Sequence, residues 1–543
     1  MRTVTVDSAV RMDVSRNRAL LVFAFVGAAL CGAVLGRMSV SGRGDTDARI
    51  DTADRARSAG ARASAERGGE KAGTRRANAT TSAMSVGVPG EARVAAQPTA
   101  LRWVAAGGGP APEANPLSVE DDLALFAETL GPTEGLLLFA GGPGTRSVQV
   151  LAPEPRGDAL TTALAELFDP REGRDAHYRA TRLALHGAAT VGETLGAIAR
   201  ALDEGEGPLT VFLAGHGGAG ETPADATLLM WGDETLTPAA LAETLDRAPR
   251  GRPVRVVVTS CYSGGFGELA FRGAKAALGP AEGRCGFFAA PWDLQASGCD
   301  PDPDRAVHEG YAIHFLAALQ GKDREGDTIR GALDLDRDGR ISLLEAHTRA
   351  VVASTSLDVP TTTSEVWLRA VAPTRGPERP VALPEVEAVL RAMAVRTQLG
   401  GREAQVNIEL TRRHARMERL DAESARREEE ESQAWHAAMG VVLSRWPVIN
   451  DPWHPDFAAT LADERDAIVR FLDEAPELVA WRHARARLDE ATRLLDEERV
   501  AAAPYERLAR AHEDLTLARR LRAAGGEGWA HYERLLECER GAP

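Results

Sequence analysis

The sequence predicts an α/β fold: a mostly parallel sheet flanked by helices, followed by an α-helical C-terminal region. Two observations carry this. Short apolar runs over Gly135–Ala140, Leu209–Ala214, Val254–Thr259 and Gly286–Ala290 alternate with segments of helical spacing. Beyond about Leu383 the chain turns rich in Ala, Leu, Glu and Arg, without a strand pattern. At 543 residues it exceeds one ordinary core, so two folded domains plus non-globular sequence are expected.

The N-terminus reads as a membrane signal. Arg2, Arg11, Arg16 and Arg18 form a basic segment over residues 1–18. Ala19–Gly36 follows without a charge, just long enough to span a bilayer as a transmembrane signal anchor and longer than the core of a cleaved signal peptide. The arginines in front favour an inside N-terminus, which places the rest of the chain outside the cytoplasm, in a periplasmic space. Residues 37–116, rich in Ala, Gly, Ser, Thr, Arg and Asp, read as a disordered linker.

Residues 117–375 carry the α/β pattern. Ser147–Leu151 is a further strand candidate, and Leu160–Phe168, Val191–Leu202 and Ala306–Leu319 have helical spacing. Gly141-Gly142-Pro143-Gly144 lacks the spacing and the Lys-Ser/Thr of a phosphate loop and reads as a tight turn. The net charge of -15 excludes a general nucleic-acid binder. The five cysteines include no CxxC pair, so neither a zinc site nor a disulfide scaffold is indicated. In an oxidising space Cys285 and Cys299 are close enough in sequence to bridge.

Two of the apolar strands end in chemistry. One runs into Gly215-His216-Gly217-Gly218, the other into Ser260-Cys261-Tyr262-Ser263-Gly264-Gly265. In open α/β sheets ligands bind beyond the carboxyl ends of strands. If the two strands are neighbours, an imidazole and a thiol share one crevice. The thiolate attacks a carbonyl, and the imidazole activates it and protonates the leaving amine. Taken singly, each has a bland reading, a buried small hydrophobe for the cysteine and a turn residue for the histidine.

This arrangement resembles the caspase-like cysteine peptidases, a group that includes caspases, metacaspases and legumains. LTVFLAGHG and VRVVVTSCYSGGF match its two motifs in order, GLLLFAGG looks like its first strand, and the resemblance covers roughly residues 134–319. It implies a Cys261–His216 dyad, with Gly217 and Cys261 as oxyanion-hole donors. In such folds the strand after the cysteine and the loop beyond it line the pocket for the residue before the scissile bond. That loop is acidic here. Asp293 and Asp300 are therefore the candidate substrate-binding residues, for a Lys or Arg side chain; the alternatives are a solvated surface turn and a legumain-like pocket for Asn with Arg146 or Arg305 as its base.

Residues 334–345 match an EF-hand-type calcium loop. Asp334, Asp336, Asp338 and Glu345 would supply carboxylates, Arg340 a carbonyl and Ser342 a side-chain or water-mediated contact. Calcium is the implied cofactor, in a weak or structural site, because the loop is single. In residues 381–543, helices are predicted over Arg402–Trp446, Asp456–Asp473, Glu477–Glu498 and Pro504–Ala523. Trp446, Trp453 and Trp481 read as core, and the helices as packing on one another, on the peptidase or on a protein partner. The expectation is a membrane-anchored cysteine endopeptidase acting on protein or peptide substrates. The alternatives are a catalytically silent calcium-binding scaffold and a transpeptidase using the same dyad.

Overall fold

A computed structural model describes residues 94–152, 158–168, 176–247, 252–305, 308–323, 326–329, 331, 333–400 and 402–543. The expected anchor over Ala19–Gly36 lies outside them. Among the described residues no helix is long and apolar enough to cross a membrane.

The chain order is β1 (Trp103–Gly108), α1 (Leu117–Leu130), β2 (Gly135–Phe139), β3 (Arg146–Leu151), α2 (Ala159–Phe168), β4 (Ala176–Ala180), α3 (Val191–Glu204), β5 (Leu209–Gly215) and β6 (Gly217–Gly218). Next come β7 (Thr227–Met230), β8 (Glu234–Leu236), α4 (Pro238–Leu245), β9 (Val254–Val258), β10 (Arg284–Phe288), α5 (Tyr311–Gln320), α6 (Leu343–Ala353), β11 (Thr361–Thr362) and α7 (Thr363–Val371). The C-terminal region holds α8 (Pro384–Thr397), α9 (Glu403–Arg445), α10 (Phe457–Asp463), α11 (Arg465–Glu474), α12 (Pro476–Ala524) and α13 (Gly526–Glu539).

Six strands form the central sheet in the order β11-β10-β9-β5-β1-β2. All neighbours are parallel except β10 and the two-residue β11. Successive residues of each strand feed opposite faces. Phe212, Val257 and Phe287 pack with Leu123, Phe126 and Phe315 of α1 and α5. Val211, Leu213, Val256 and Val258 pack with Ile198, Leu202 and Leu241 of α3 and α4. Thr190 and Thr237 cap α3 and α4 by accepting the Glu193 and Ala240 N–H groups.

Four expectations change. Trp103–Gly108, assigned to the linker, is a fully buried strand between β2 and β5. Its Ala and Gly content reflects close packing: a Cβ on Gly107 would lie 2.6 Å from the Ala214 carbonyl oxygen. GLLLFAGG is therefore the second strand and the sheet edge, not the first. Pro504 does not divide two helices but lies inside the 49-residue α12. Trp446 and Trp481 are core as expected, but Trp453 is 91% exposed.

Cys285 bonds to Cys538, not to Cys299. The bridge fixes α13 onto β10, 253 residues earlier in sequence. The tail is held elsewhere too. The buried Glu539 accepts from Thr363 Oγ1, Ser364 N and Ser364 Oγ at 2.7–2.8 Å, at the start of α7. Arg540 forks onto Glu385 at 2.8 and 2.9 Å. The C-terminal helix thus closes one side of the α/β core.

Candidate active site

The strand order reverses between β1, which is followed by β2 on one side, and β5, which lies on the other. Loops leaving the two strand ends part there and open a crevice, the usual ligand position in such sheets. His216 follows β5 and Cys261 lies just beyond β9. The two strands are parallel neighbours with Leu213 opposite Val258, so the same three-residue step carries the chain to His216 and to Cys261. The close approach explains Gly217: a Cβ there would lie 1.9 Å from the Cys261 carbonyl oxygen. Both side chains are nearly buried, at 7% and 8% exposure.

The histidine is oriented by the loop after β1. Its Nε2 lies 2.8 Å from the Ala114 carbonyl oxygen. A carbonyl only accepts, so the proton of the neutral ring sits on Nε2 and Nδ1 is the basic nitrogen. The cysteine is cradled by the loop after β10. Ala296 N–H donates to Sγ at 3.3 Å, and the thiol faces the Ala296 carbonyl at 3.4 Å. The same loop is tied to the residues after the cysteine. Tyr262 N–H donates to Leu294 O at 2.9 Å and Gly264 N–H to Ala290 O at 2.7 Å. A Cβ on Gly264 would meet Pro291 Cα at 2.7 Å, which accounts for a glycine there. Tyr262 takes φ 58°, a left-handed conformation uncommon for a non-glycine and frequent beside functional groups.

The loop joins two cavities. At one end Pro291, Trp292 and Asp293 line an open cleft of about 720 Å³ whose far wall is Glu506, Arg510 and Glu513 of α12. At the other end Ser297, Gly298 and Cys299 line a crevice of about 20 Å³, room for about one water. Ala214, Gly215 and Thr259, which precede His216 and Cys261 in the chain, line it, with Asp121 and Asp122 of α1 as its acidic side. Desolvation, and then the neighbouring Asp121, pushes Asp122 up to about 8. Arg305 lies 3.4 Å from Asp121.

Asp293 is exposed on the cleft rim. Asp300 is near the crevice but turned to its own loop, its Oδ1 accepting Asp302 N–H at 2.8 Å. Asp121 and Asp122 were not singled out from sequence. They are the fifth and sixth residues of α1, where acids on a helix ordinarily form a solvated face, so nothing marks them. Nor does a sequence signal mark Ala114 or Ala296, which act through their backbones.

In the EF-hand-type loop, oxygens of Asp334, Asp336 and Asp338 lie within 4.8 Å of one another. Gly339 turns the chain at φ 85°. Ser342 is the N-cap of α6, and Arg340 N–H donates to Asp338 Oδ1. Glu345 is engaged otherwise. Its carboxylate closes a capping box with Ser342 and accepts the Leu335 and Asp336 N–H groups. The donor set suits a hard cation on three carboxylates, and Glu345 must release those N–H groups to join it.

Searches of protein-family models and of curated proteins return no match to the chain.

Proposed function

We propose that the chain is a cysteine endopeptidase of the caspase-like type, with Cys261 as nucleophile and His216 as general base and acid. The observation that carries this is the register of β5 and β9, which brings the chain to His216 and to Cys261 by equal steps from paired residues at the carboxyl edge of the sheet. His216 Nδ1 takes the Sγ proton, and the thiolate attacks the scissile carbonyl carbon. Gly217 and Cys261 N–H groups receive the oxyanion. The intermediate collapses as Nδ1–H protonates the leaving amine, and water then releases the acyl group by the reverse sequence. Hydrolysis of a peptide library, abolished by a thiol-reactive peptide probe, tests it. A wild-type chain that cleaves nothing and takes up no probe contradicts it.

The acidic crevice supports selectivity for Lys or Arg before the scissile bond. The Asp122 carboxyl is desolvated, and an entering cation gives its ionised form a partner. Entry displaces the Cys299–Arg305 part of the loop, because the crevice is narrow, and leaves Ser297 on Asp358. Asp122→Asn is expected to lower kcat/KM for Arg substrates about 100-fold against a neutral residue at that position. Asp293→Ala is expected to have a smaller effect, because an exposed charge is screened. The pH dependence has a definite sign. The proton leaves Asp122 near pH 8, so KM for Arg substrates falls as pH rises towards that value, and KM for neutral ones does not. A library profile favouring Asp or Asn rejects this specificity.

Calcium binding at Asp334, Asp336 and Asp338 is proposed as a weak site whose ion would brace the entry to α6. Calorimetry is expected to show uptake at millimolar calcium, lost in Asp334→Ala. No heat from the wild type at that concentration excludes the site. The Cys285–Cys538 bridge supports a location in an oxidising compartment outside the cytoplasm.

A further inference from the structure

Arg507 of α12 is 3% exposed, and no carboxylate accepts its hydrogen bonds. Its N–H groups go to the carbonyls of Asp358 (2.7 Å), Val351 (3.1 Å), Ser354 (2.8 Å) and Ser356 (3.0 Å). One planar fork therefore grips four carbonyls of a single stretch, the end of α6 and the turn after it. Within that turn Ser356 N–H donates to Ser354 Oγ and Asp358 N–H to Ser356 Oγ, each at 3.1 Å. The turn is thus fixed from behind by the C-terminal helix.

What the turn presents forward is the Asp358 carboxylate, fully buried. Its Oδ1 accepts the Ser297 N–H at 2.5 Å. Ser297 follows Ala296, whose own N–H donates to the Cys261 sulfur. Two successive backbone N–H groups of one loop are therefore spent in different directions, that of Ala296 on the proposed nucleophile and that of Ser297 on a buried carboxylate. A donor on sulfur favours the thiolate. The Ser297 N–H shares its peptide plane with the Ala296 carbonyl, which faces the same sulfur at 3.4 Å, and that plane meets the one carrying the Ala296 N–H at the Ala296 Cα, so Asp358 holds the position of Ala296 against Sγ.

We propose that Asp358 is a positioning residue for Cys261: braced by Arg507, its carboxylate fixes the Ser297 N–H and so keeps the Ala296 N–H on Sγ. The C-terminal helical region then has a part in the chemistry, since α12 supplies the brace. The proposal rests on the reading of Cys261 as nucleophile.

Burial pushes Asp358 up to about 6, against the Ser297 N–H and Arg507, which pull it down. The other charged or titratable groups facing this turn are Arg396 of α8, which donates to Ser354 O, and Glu309, which accepts Thr355 N–H and pairs with His314 of α5. A folded value above the unfolded 3.8 means that stability falls as pH rises from about 4 to about 6, and the cost is complete above that. A neutral isostere avoids this cost. The carboxylate offers in exchange a charge-assisted bond to the loop, stronger than an amide oxygen gives.

The test is Asp358→Asn in the full chain, which keeps the shape and an acceptor but not the charge. At pH 7.5 it is expected to melt no lower than wild type. Its kcat is expected to fall about tenfold with KM nearly unchanged, and iodoacetamide to alkylate Cys261 correspondingly more slowly. The acid limb of the wild-type labelling rate should lose two protons, one from the dyad and one from Asp358; the variant's should lose one. Unchanged labelling and an unchanged limb overturn the proposal. So does a loss of rate that merely follows a lowered melting temperature. Slower labelling of Cys261 in the variant, with no peptide hydrolysis even in wild type, leaves the positioning role standing and removes the peptidase reading instead.

Discussion

Cys261→Ala is expected to abolish peptide hydrolysis to the detection limit, and His216→Ala to lower kcat about a thousandfold, both in a folded protein. The asymmetry follows from the roles. Without sulfur there is no acyl-enzyme. Without imidazole a residual thiolate fraction still attacks, but the leaving amine lacks its acid. Neither change should undo the fold. Cys261 is a small side chain whose removal costs only the weak contacts of Sγ with the Ala296 N–H and carbonyl. His216 bonds to Ala114 O and belongs to neither of the two apolar clusters that flank the sheet. Its loss leaves a carbonyl that crevice water can satisfy. The measurements are kcat and KM on a cleaved library peptide, beside melting curves of each variant. Full activity in Cys261→Ala contradicts the mechanism outright. Restoration of the His216→Ala rate by added imidazole supports the acid–base role.

Removing the Cys285–Cys538 bridge is expected to have the largest effect on stability. It closes a loop of 253 residues, for which the chain-entropy account gives about 5 kcal/mol, near the upper end of the usual range. For a folded unit of this size that corresponds to a fall of about 5 °C in Tm. The effect should be largest at the tail. In Cys538→Ala, α13 keeps its apolar contacts through Tyr532, Leu535 and Leu536 and its polar ties, among them the Glu539 cradle, the Arg540–Glu385 fork and the Gly541 carbonyl on Leu343 N–H. Burial raises Glu539 to about 7 despite the hydrogen bonds from Ser364 and Thr363, which lower it. Its folded value exceeds the unfolded 4.5, so docking is strongest at acid pH and weakens as pH rises to about 7. Limited proteolysis of Cys538→Ala should therefore release the C-terminal helix faster at pH 8 than at pH 5.5. Equal resistance of variant and wild type at pH 8 shows that the bridge is dispensable.

The parts legible in the sequence are those in which one strand carries its own signal. The runs that became β5, β9 and β10 are continuous and β-branched or aromatic, because both faces are buried. The glycines beside His216 and Cys261 mark close backbone approach, and the structure shows the contacts that require them. Other parts depend on partners distant in the chain. Trp103–Gly108 carries β-formers only at Trp103 and Val104, since Gly107 and Gly108 sit against β5 and the residues after β2, so it read as tether. Cys538 lay in an apparently passive tail, and only tertiary structure brings it to Cys285. Pro504 costs one helical hydrogen bond, which the packing of Ala502, Ala503 and Leu508 around it outweighs. The Arg507–Asp358–Ser297 connection uses carbonyls and an N–H, which no side-chain pattern encodes. The calcium loop was legible residue by residue, but not the turn of Glu345 into a cap, because the capping box and the EF-hand-type loop ask for the same Ser342 and Glu345.

The central claim is that Cys261 is a nucleophile activated by His216, and one measurement reaches it directly. The full chain is treated at pH 7.5 with a peptidyl chloromethyl ketone ending in Arg, digested, and the adduct located by mass spectrometry. The account expects one adduct, on Cys261, with Cys299 unmodified although it is the more exposed thiol, and a rate that collapses in His216→Ala. Modification of Cys299 instead, or a rate at Cys261 indifferent to His216, contradicts it.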